Sequence, residues 1–407
     1  MKKITLIMAL VALATAINAQ PINVSNAYEQ QNRGYYEKAM GFIDQAVKHE
    51  ATATSPQAWF YRTMIYYKIG GEIEKGTKQG KKLATIAPDW LTQAYVSALT
   101  WDQYDTKKEF QEKVSLFVAG IGYSYYSNAN AAFKAKDYEK TIAMCDSALT
   151  LFGIAKQAGK QYLQPTNQLA GFAAYNSQKM DIAKKYFNYL VRSGFEDDQV
   201  YNILFDLYVK DQDTINALKT ARNYSSAFPQ KFQSDMLLAR AYSFSGNYEK
   251  SKESMTKALE KATDVNTRAA LLCAIGSVYE EANDFAEAEK NYSESINILP
   301  KQYLANYNMG KMFYNRALDK RDAANNVDPN DETGLYDKLN DEALALFGQT
   351  TQYFENAINF IDGLDEANQA SNKNNLKICL GALSKVYLSL NKTDQYKTIK
   401  ARLDSLN

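Results

Sequence analysis

The chain of 407 residues carries 47 Lys+Arg against 46 Asp+Glu, so there is no cationic surplus for a phosphate backbone and nucleic acid is set aside as a partner. Its 19 glycines and 7 prolines are few for this length, which fits an almost wholly helical chain. A hydrophobic content of 46% is enough to bury a core.

The chain opens MKKITLIMALVALATAINAQ. Lys2 and Lys3 form a charged start, Ile4 to Ala14 an apolar run, and small residues follow to Ala19. That pattern predicts a secretory signal peptide over 1–19, cut after Ala19 or after Ala16, too short to span a bilayer as a mature helix. Removing Lys2 and Lys3 takes the net charge of +1 to about −1. No cysteine stands at the cleavage site, so no lipid anchor is expected. The protein is expected to be exported, with the periplasm as its address and secretion or outer-membrane association as alternatives.

Beyond the leader the chain repeats itself. ARAYSFSGNYEKSKESMTKAL (Ala239 to Leu259) and GSVYEEANDFAEAEKNYSESI (Gly276 to Ile296) are two copies of one pattern. Earlier copies start near Tyr36, Tyr138, Met180 and Thr214. A period of about 34 residues, each unit two short helices, predicts an all-α solenoid of stacked antiparallel helix pairs. The organisation expected is 20–120 degenerate repeats, 121–300 a regular array, 301–362 a repeat with an elongated helical hairpin, and 363–407 capping helices. Residues 57–119 carry a poor copy, and the three repeat lengths from Tyr36 to Tyr138 leave room for two degenerate units between them. There Gly70, Gly71, Gly76 and Gly80 fall on a second helix, with close packing expected through Gly76 and Gly80. A linker is expected from Phe152 to Gln161, and a turn near Pro329 to Gly334 at the hairpin tip.

The prolines are expected at helix borders, where a missing N–H is tolerated. Pro88, Pro229 and Pro300 close second helices, and Pro56 and Pro165 precede first helices. Three cysteines, Cys145, Cys273 and Cys379, are an odd count and no complete disulfide framework. Cys145 takes a core position. Cys273 could face a groove.

This frame resembles the tetratricopeptide repeat, which implies that the α-solenoid winds as a right-handed superhelix. Helix-A small positions read Ala129, Gly171, Ala239, Gly276 and Gly310, with Tyr242, Tyr279 and Phe313 three later. On helix B, Ile43, Phe187, Met255 and Tyr292 fill the large site. A small residue lets two helices approach while the large residue of the partner fills the gap. The short leader ending Ala-Gln and the long hairpin look like those of exported Bacteroidetes members of the family.

Catalytic motifs are sought and not found. His49 is the sole histidine and has no ligand or base motif around it. GIAKQAGKQ (Gly153 to Gln161) has the wrong spacing for a phosphate loop and Gln where Ser or Thr should hold magnesium. GIGYSY (Gly120 to Tyr125) lacks the third glycine of a dinucleotide fingerprint and is expected to lead into a helix. The stretch from Asp328 to Glu332 lacks the glycine and bidentate Glu of a calcium loop. No enzyme activity, cofactor or metal is expected.

What remains is a surface. The resemblance implies that the inner face is lined by helix A, one turn either side of the small residue. Those offsets give Phe60, Tyr67, Tyr126 and Phe133, then Gln168 and Tyr175. Farther on they give Met236, Ser243, Cys273 and Glu280, then Tyr307 and Tyr314. The adjacent offset adds Asn130, Phe172, Arg240 and Lys311. An aromatic groove with polar anchors suits an extended peptide or amphipathic helix of an envelope protein. The Lys and Asn pair by which chaperone-tail-binding members grip a carboxylate is absent, since the matching positions read Tyr126 with Asn130 and Tyr307 with Lys311. The alternative is glycan binding, because starch-binding outer-membrane proteins of the same bacteria are built on these repeats. Those proteins carry a lipid-anchor cysteine and large insertions that this chain lacks, and Trp59, Trp90 and Trp101 fall outside the groove offsets.

Overall fold

A computed structural model describes residues 22–300, 302–328 and 332–406. The expected signal peptide lies outside these residues, as do Pro329, Asn330 and Asp331 of the expected hairpin turn. Among the described residues the regular structure is α-helix with one 3-10 turn and no strand.

The chain forms two compact units, Met1–Val200 and Tyr201–Asn407. The first holds α1 (22–32), α2 (Tyr36–Ala46), α3 (Pro56–Glu74), α4 (Lys78–Ile86) and α5 (Trp90–Tyr104). It continues with α6 (Gln111–Lys134), α7 (Tyr138–Ala155), α8 (Lys160–Asn176) and α9 (Met180–Arg192). Helix α10 (Asp198–Lys210) starts in the first unit and ends in the second. The second unit holds α11 (Thr214–Ala227), α12 (Phe232–Phe244), α13 (Tyr248–Lys261), α14 (Val265–Glu281) and α15 (Phe285–Ile298). The elongated hairpin follows as α16 (Tyr303–Asn325) and α17 (Leu335–Asp362). The short α18 (Glu366–Ser371), α19 (Lys373–Ser389) and α20 (Thr393–Ser405) end it.

Each repeat anchor read from the sequence is the first residue of a second helix: Tyr36, Tyr138, Met180, Thr214, Tyr248 and Phe285. The turn ahead of four of them, Tyr138, Thr214, Tyr248 and Phe285, follows one recipe. A residue in the left-handed region reverses the chain, as at Lys136 (φ 61°), Gln212 (φ 59°), Gly246 (φ 72°) and Asn283 (φ 59°). The next residue caps the new helix. Asp137 accepts from the Lys140 N–H at 3.1 Å, Asp213 from Asn216 at 3.0 Å and Asn247 from Lys250 at 3.2 Å. Pro88, Pro229 and Pro300 each stand just beyond the end of α4, α11 or α15.

Small and large residues interlock between paired helices. A Cβ added to Gly171 would stand 2.6 Å from the Phe187 ring, and one added to Gly276 would stand 2.7 Å from the Tyr292 ring. The longer α6–α7 hairpin adds another such pair, Gly122 against Phe152. Where the second helix carries Ser251 in place of alanine, its hydroxyl donates to the Ala239 carbonyl at 2.8 Å. Cys145, Cys273 and Cys379 are buried and free.

Five expectations are corrected. The stretch between Tyr36 and Tyr138 does not hold two full degenerate units: α3 and α4 form one hairpin, and α5 is followed directly by a loop and α6 with no second helix of its own. The run from Phe152 to Gln161 is no linker, since α7 extends to Ala155, a 3-10 turn covers Lys156–Ala158, and α8 begins at Lys160. Pro165 lies inside α8, near enough to its start that a single intrahelical N–H bond is forfeited. GIGYSY lies within α6, its glycines packed on Tyr67 and Phe152. Gly70 and Gly71 belong to the first helix, and Gly76 is a left-handed turn residue. Close packing there runs through Gly70 on Trp90 and Gly80 on the Glu72 backbone.

Candidate functional site

The second unit presents a groove of about 600 Å³ along the faces of four alternate helices. Helix α10 contributes Phe205 and Val209, and α12 contributes Met236, Arg240 and Ser243. Helix α14 contributes Cys273, Ser277 and Glu281, and α16 contributes Leu304 and Asn308. The shared side follows from the repeat: the first helices stack on one another, so the same stripe of each faces outward together.

Hydrogen bonds tie neighbouring helices across the groove. Arg240 pairs with Asp206 at 2.6 Å and lies over the Phe205 ring, 4.7 Å from its centroid. Ser243 donates to Glu281 at 2.7 Å, linking α12 to α14. Asn308 donates to Ser277 at 3.2 Å and to the Cys273 sulfur at 3.6 Å, linking α16 to α14. Below them the Tyr292 hydroxyl donates to Glu280 at 2.8 Å and lies 3.1 Å from the Ser277 oxygen. Burial pushes the Cys273 thiol up to about 11, which makes it a poor nucleophile at neutral pH. Burial likewise raises the Tyr292 phenol, with Glu280 adding to the effect.

The residues expected in the groove divide. Arg240, Met236, Ser243 and Cys273 line it. Glu280 and Lys311 pair with each other at 3.5 Å beside it. Tyr307 and Tyr314 are corrections: both pack inward, on Phe354 and Phe347 of α17. Helices α17 and α19 cover that side of α16 and leave Leu304 and Asn308 to face the groove. Glu281, Leu304 and Asn308 were missed by the offset rule. The signal available was the helical period, which places Asn308 one turn beyond Leu304.

In the first unit the expected aromatics are largely engaged with other rings. Phe60 is another correction, being buried and stacked on Phe110 at 5.1 Å. Tyr67 meets Phe117, Phe133 meets Tyr138, and Phe172 meets Phe187, all edge-on. Tyr126 lies 6.2 Å from Tyr123, and both Tyr126 and Asn130 are half-buried. Tyr175 keeps 37% exposure, and Tyr123, which the offsets passed over, keeps 50%.

Among the described residues no cluster of His, Cys, Asp and Glu could hold a metal, and no helix is long and apolar enough to cross a membrane. The His49 ring accepts a hydrogen bond from the Ala51 N–H at 3.2 Å. Trp101 is fully buried, Trp59 donates to the Ala53 carbonyl at 2.6 Å, and Trp90 packs on Gly70.

Stacked helical hairpins exposing one stripe of their first helices define a helical-repeat protein. Residues 232–301, which span α12 to α15, match the tetratricopeptide repeat family model, and that stretch holds two helical hairpins. No curated protein matches the chain. Similar solved structures include YrrB, a TPR protein described as having an unusual peptide-binding site, at 19% identity, 44% of this chain, 88% of that one and a TM-score of 0.35. MamA from Desulfovibrio magneticus RS-1, from residue 41 to its end, aligns at 17% identity over 44% of this chain and 96% of its own, with a TM-score of 0.33. A thermophilic TPR protein in Thermus thermophilus aligns at 17% identity over 43% of this chain and 93% of its own, with a TM-score of 0.30.

Proposed function

We propose that this chain is a non-enzymatic scaffold of the bacterial envelope, of the exported Bacteroidetes type, that holds a segment of a protein partner in the groove of its second unit. The groove carries the reading. It runs over four successive first helices and offers apolar floor at Phe205, Met236 and Leu304 beside polar groups at Arg240, Ser243, Glu281 and Asn308. Such a surface suits an extended chain, whose side chains find apolar pockets and whose main chain finds polar partners. Export rests on the leader read from the sequence. The hairpin is the second surface considered, because Leu335 and Tyr336 stand exposed near its tip.

In-cell photo-crosslinking tests the proposal. A photo-reactive residue replaces Ser243 in the groove, Tyr175 in the first unit, or Glu332 at the hairpin, and adducts are read by mass spectrometry. Capture of one envelope protein at Ser243, lost on Arg240→Glu, supports the groove. Absence of a protein adduct at all three positions, in a folded and exported chain, overturns the scaffold reading. N-terminal sequencing of the mature chain tests export, with Gln20 expected first and an intact Met1 counting against it.

A further inference from the structure

The polar groups of the groove are not evenly divided between donors and acceptors. The Ser277 hydroxyl donates its one proton to the Cys273 carbonyl at 3.2 Å, so its oxygen can only accept. Asn308, 3.2 Å away, must therefore turn its NH2 group towards Ser277, which fixes an amide orientation that the heavy-atom shape alone leaves open. Its carbonyl oxygen is then left without a donor among the described residues. Ser243 has likewise committed its proton to Glu281.

The charges follow the same division. Glu281 is exposed and has no cation partner among the described residues. Among those residues Arg240 is the one cation lining the groove, and Asp206 already answers it. Lys311 beside the groove is answered by Glu280. The groove thus offers unfilled acceptors and one carboxylate with no cation of its own.

Resting on the reading that this groove holds a protein segment, we infer that the segment is cationic and donor-rich. A Lys or Arg side chain pairs with Glu281 while its aliphatic stem lies on Met236 and Val278, as long cationic side chains do. A main-chain N–H of the segment meets the free oxygen of Asn308. An acidic segment would face Glu281 with no free cation to receive it, a penalty that selects against such partners.

The test is selection from a random dodecapeptide library displayed on phage, using the full chain, Glu281→Gln and Glu281→Lys, each confirmed folded by circular dichroism. Glu281→Gln removes the charge and keeps an acceptor for Ser243. Lys and Arg are expected to be enriched about fivefold on the natural chain, the factor that about 1 kcal/mol for a part-exposed ion pair gives. That enrichment should vanish with Glu281→Gln and turn to Asp and Glu with Glu281→Lys. Neutral or acidic selection on the natural chain, or basic selection indifferent to Glu281, overturns the inference. If such peptides are still lost when Ser243→Trp fills the groove, the groove reading survives alone. Recovery of no peptide above background overturns both.

Discussion

At Gly276 the packing leaves no room for a methyl group, because an added Cβ would fall 2.7 Å from the Tyr292 ring. Alanine is the better helix former by about 1 kcal/mol, yet overpacking costs about 1–3 kcal/mol and should win here. Gly276→Ala is expected to lower stability by up to about 2 kcal/mol in urea titration. Gly348, inside α17 with nothing within 4 Å, is the control, and Gly348→Ala should gain about 0.5–1 kcal/mol. The three thiols give a second prediction at this scale. Burial raises Cys145 to about 12 and both Cys273 and Cys379 to about 11, from an ordinary value of 9.0. The folded chain therefore holds these protons more tightly than the unfolded one. Their contribution to stability is whole below about pH 9 and is lost as pH climbs through 11 to 12. Melting temperature should fall across that window, less so with Cys145→Ala. Iodoacetamide at pH 8 should label no thiol until denaturant is added. The core role of Cys145 was legible from the repeat frame. The burial of Cys273 was not, since its offset points to the groove, whereas it packs in a core with Tyr292, Ala305 and Met309 under the Asn308 amide.

At the level of the element, the helical hairpin is specified largely by its turn. Gln178 (φ 60°) and Gln212 (φ 59°) occupy a conformation that costs a side-chain-bearing residue about 1 kcal/mol, whereas Gly246 fills the same place freely. Gln178→Gly is expected to raise the urea midpoint by an amount worth about 0.5–1 kcal/mol. Asp213→Ala, which strips the cap from the Asn216 N–H, should lower it by about 1 kcal/mol. An αL position followed by Asp or Asn is a local signal for the second-helix starts at Tyr138, Thr214, Tyr248 and Phe285, whereas Tyr36 and Met180 follow Tyr35 and Lys179 and rest on the repeat spacing. The failures share the opposite cause. Helix α5 lacks a second helix because Asp105 holds the following loop, accepting from the Glu109 and Phe110 N–H groups, a tertiary choice that no spacing announces. The Phe152–Gln161 stretch looks loop-like by its glycines and lysines. Yet Gly159 lies against the Phe152 backbone, so the glycine serves packing and not a linker. Tyr307 and Tyr314 matched the groove offset in α16, but both rings pack into a core built by α17 and α19.

For the molecule as a whole, the division into one unit ending at Val200 and another beginning at Tyr201 bears directly on how it unfolds. Solenoid stability is a sum of repeat and nearest-neighbour terms, so no single core obliges the whole chain to melt at once. The sequence supplies an uneven set of probes: Trp59, Trp90 and Trp101 all lie in the first unit. Tryptophan fluorescence therefore reports that unit alone, while far-ultraviolet circular dichroism reports helices from both. The first unit also holds a polar clamp. Arg62, largely buried, donates to Asp44 at 2.8 Å, Ser97 at 2.7 Å and Gln93 at 2.7 Å, and so ties α2, α3 and α5 together. Removing one partner of a buried charged network costs about 3–5 kcal/mol, and that loss should be confined to the unit that contains it. Urea unfolding followed by the two probes is expected to give midpoints that do not coincide. Arg62→Met should move the fluorescence midpoint to lower urea and shift only the part of the circular dichroism change that belongs to the first unit. Coincident transitions in the natural chain that move together in Arg62→Met would show one cooperative block spanning both units and would refute this expectation.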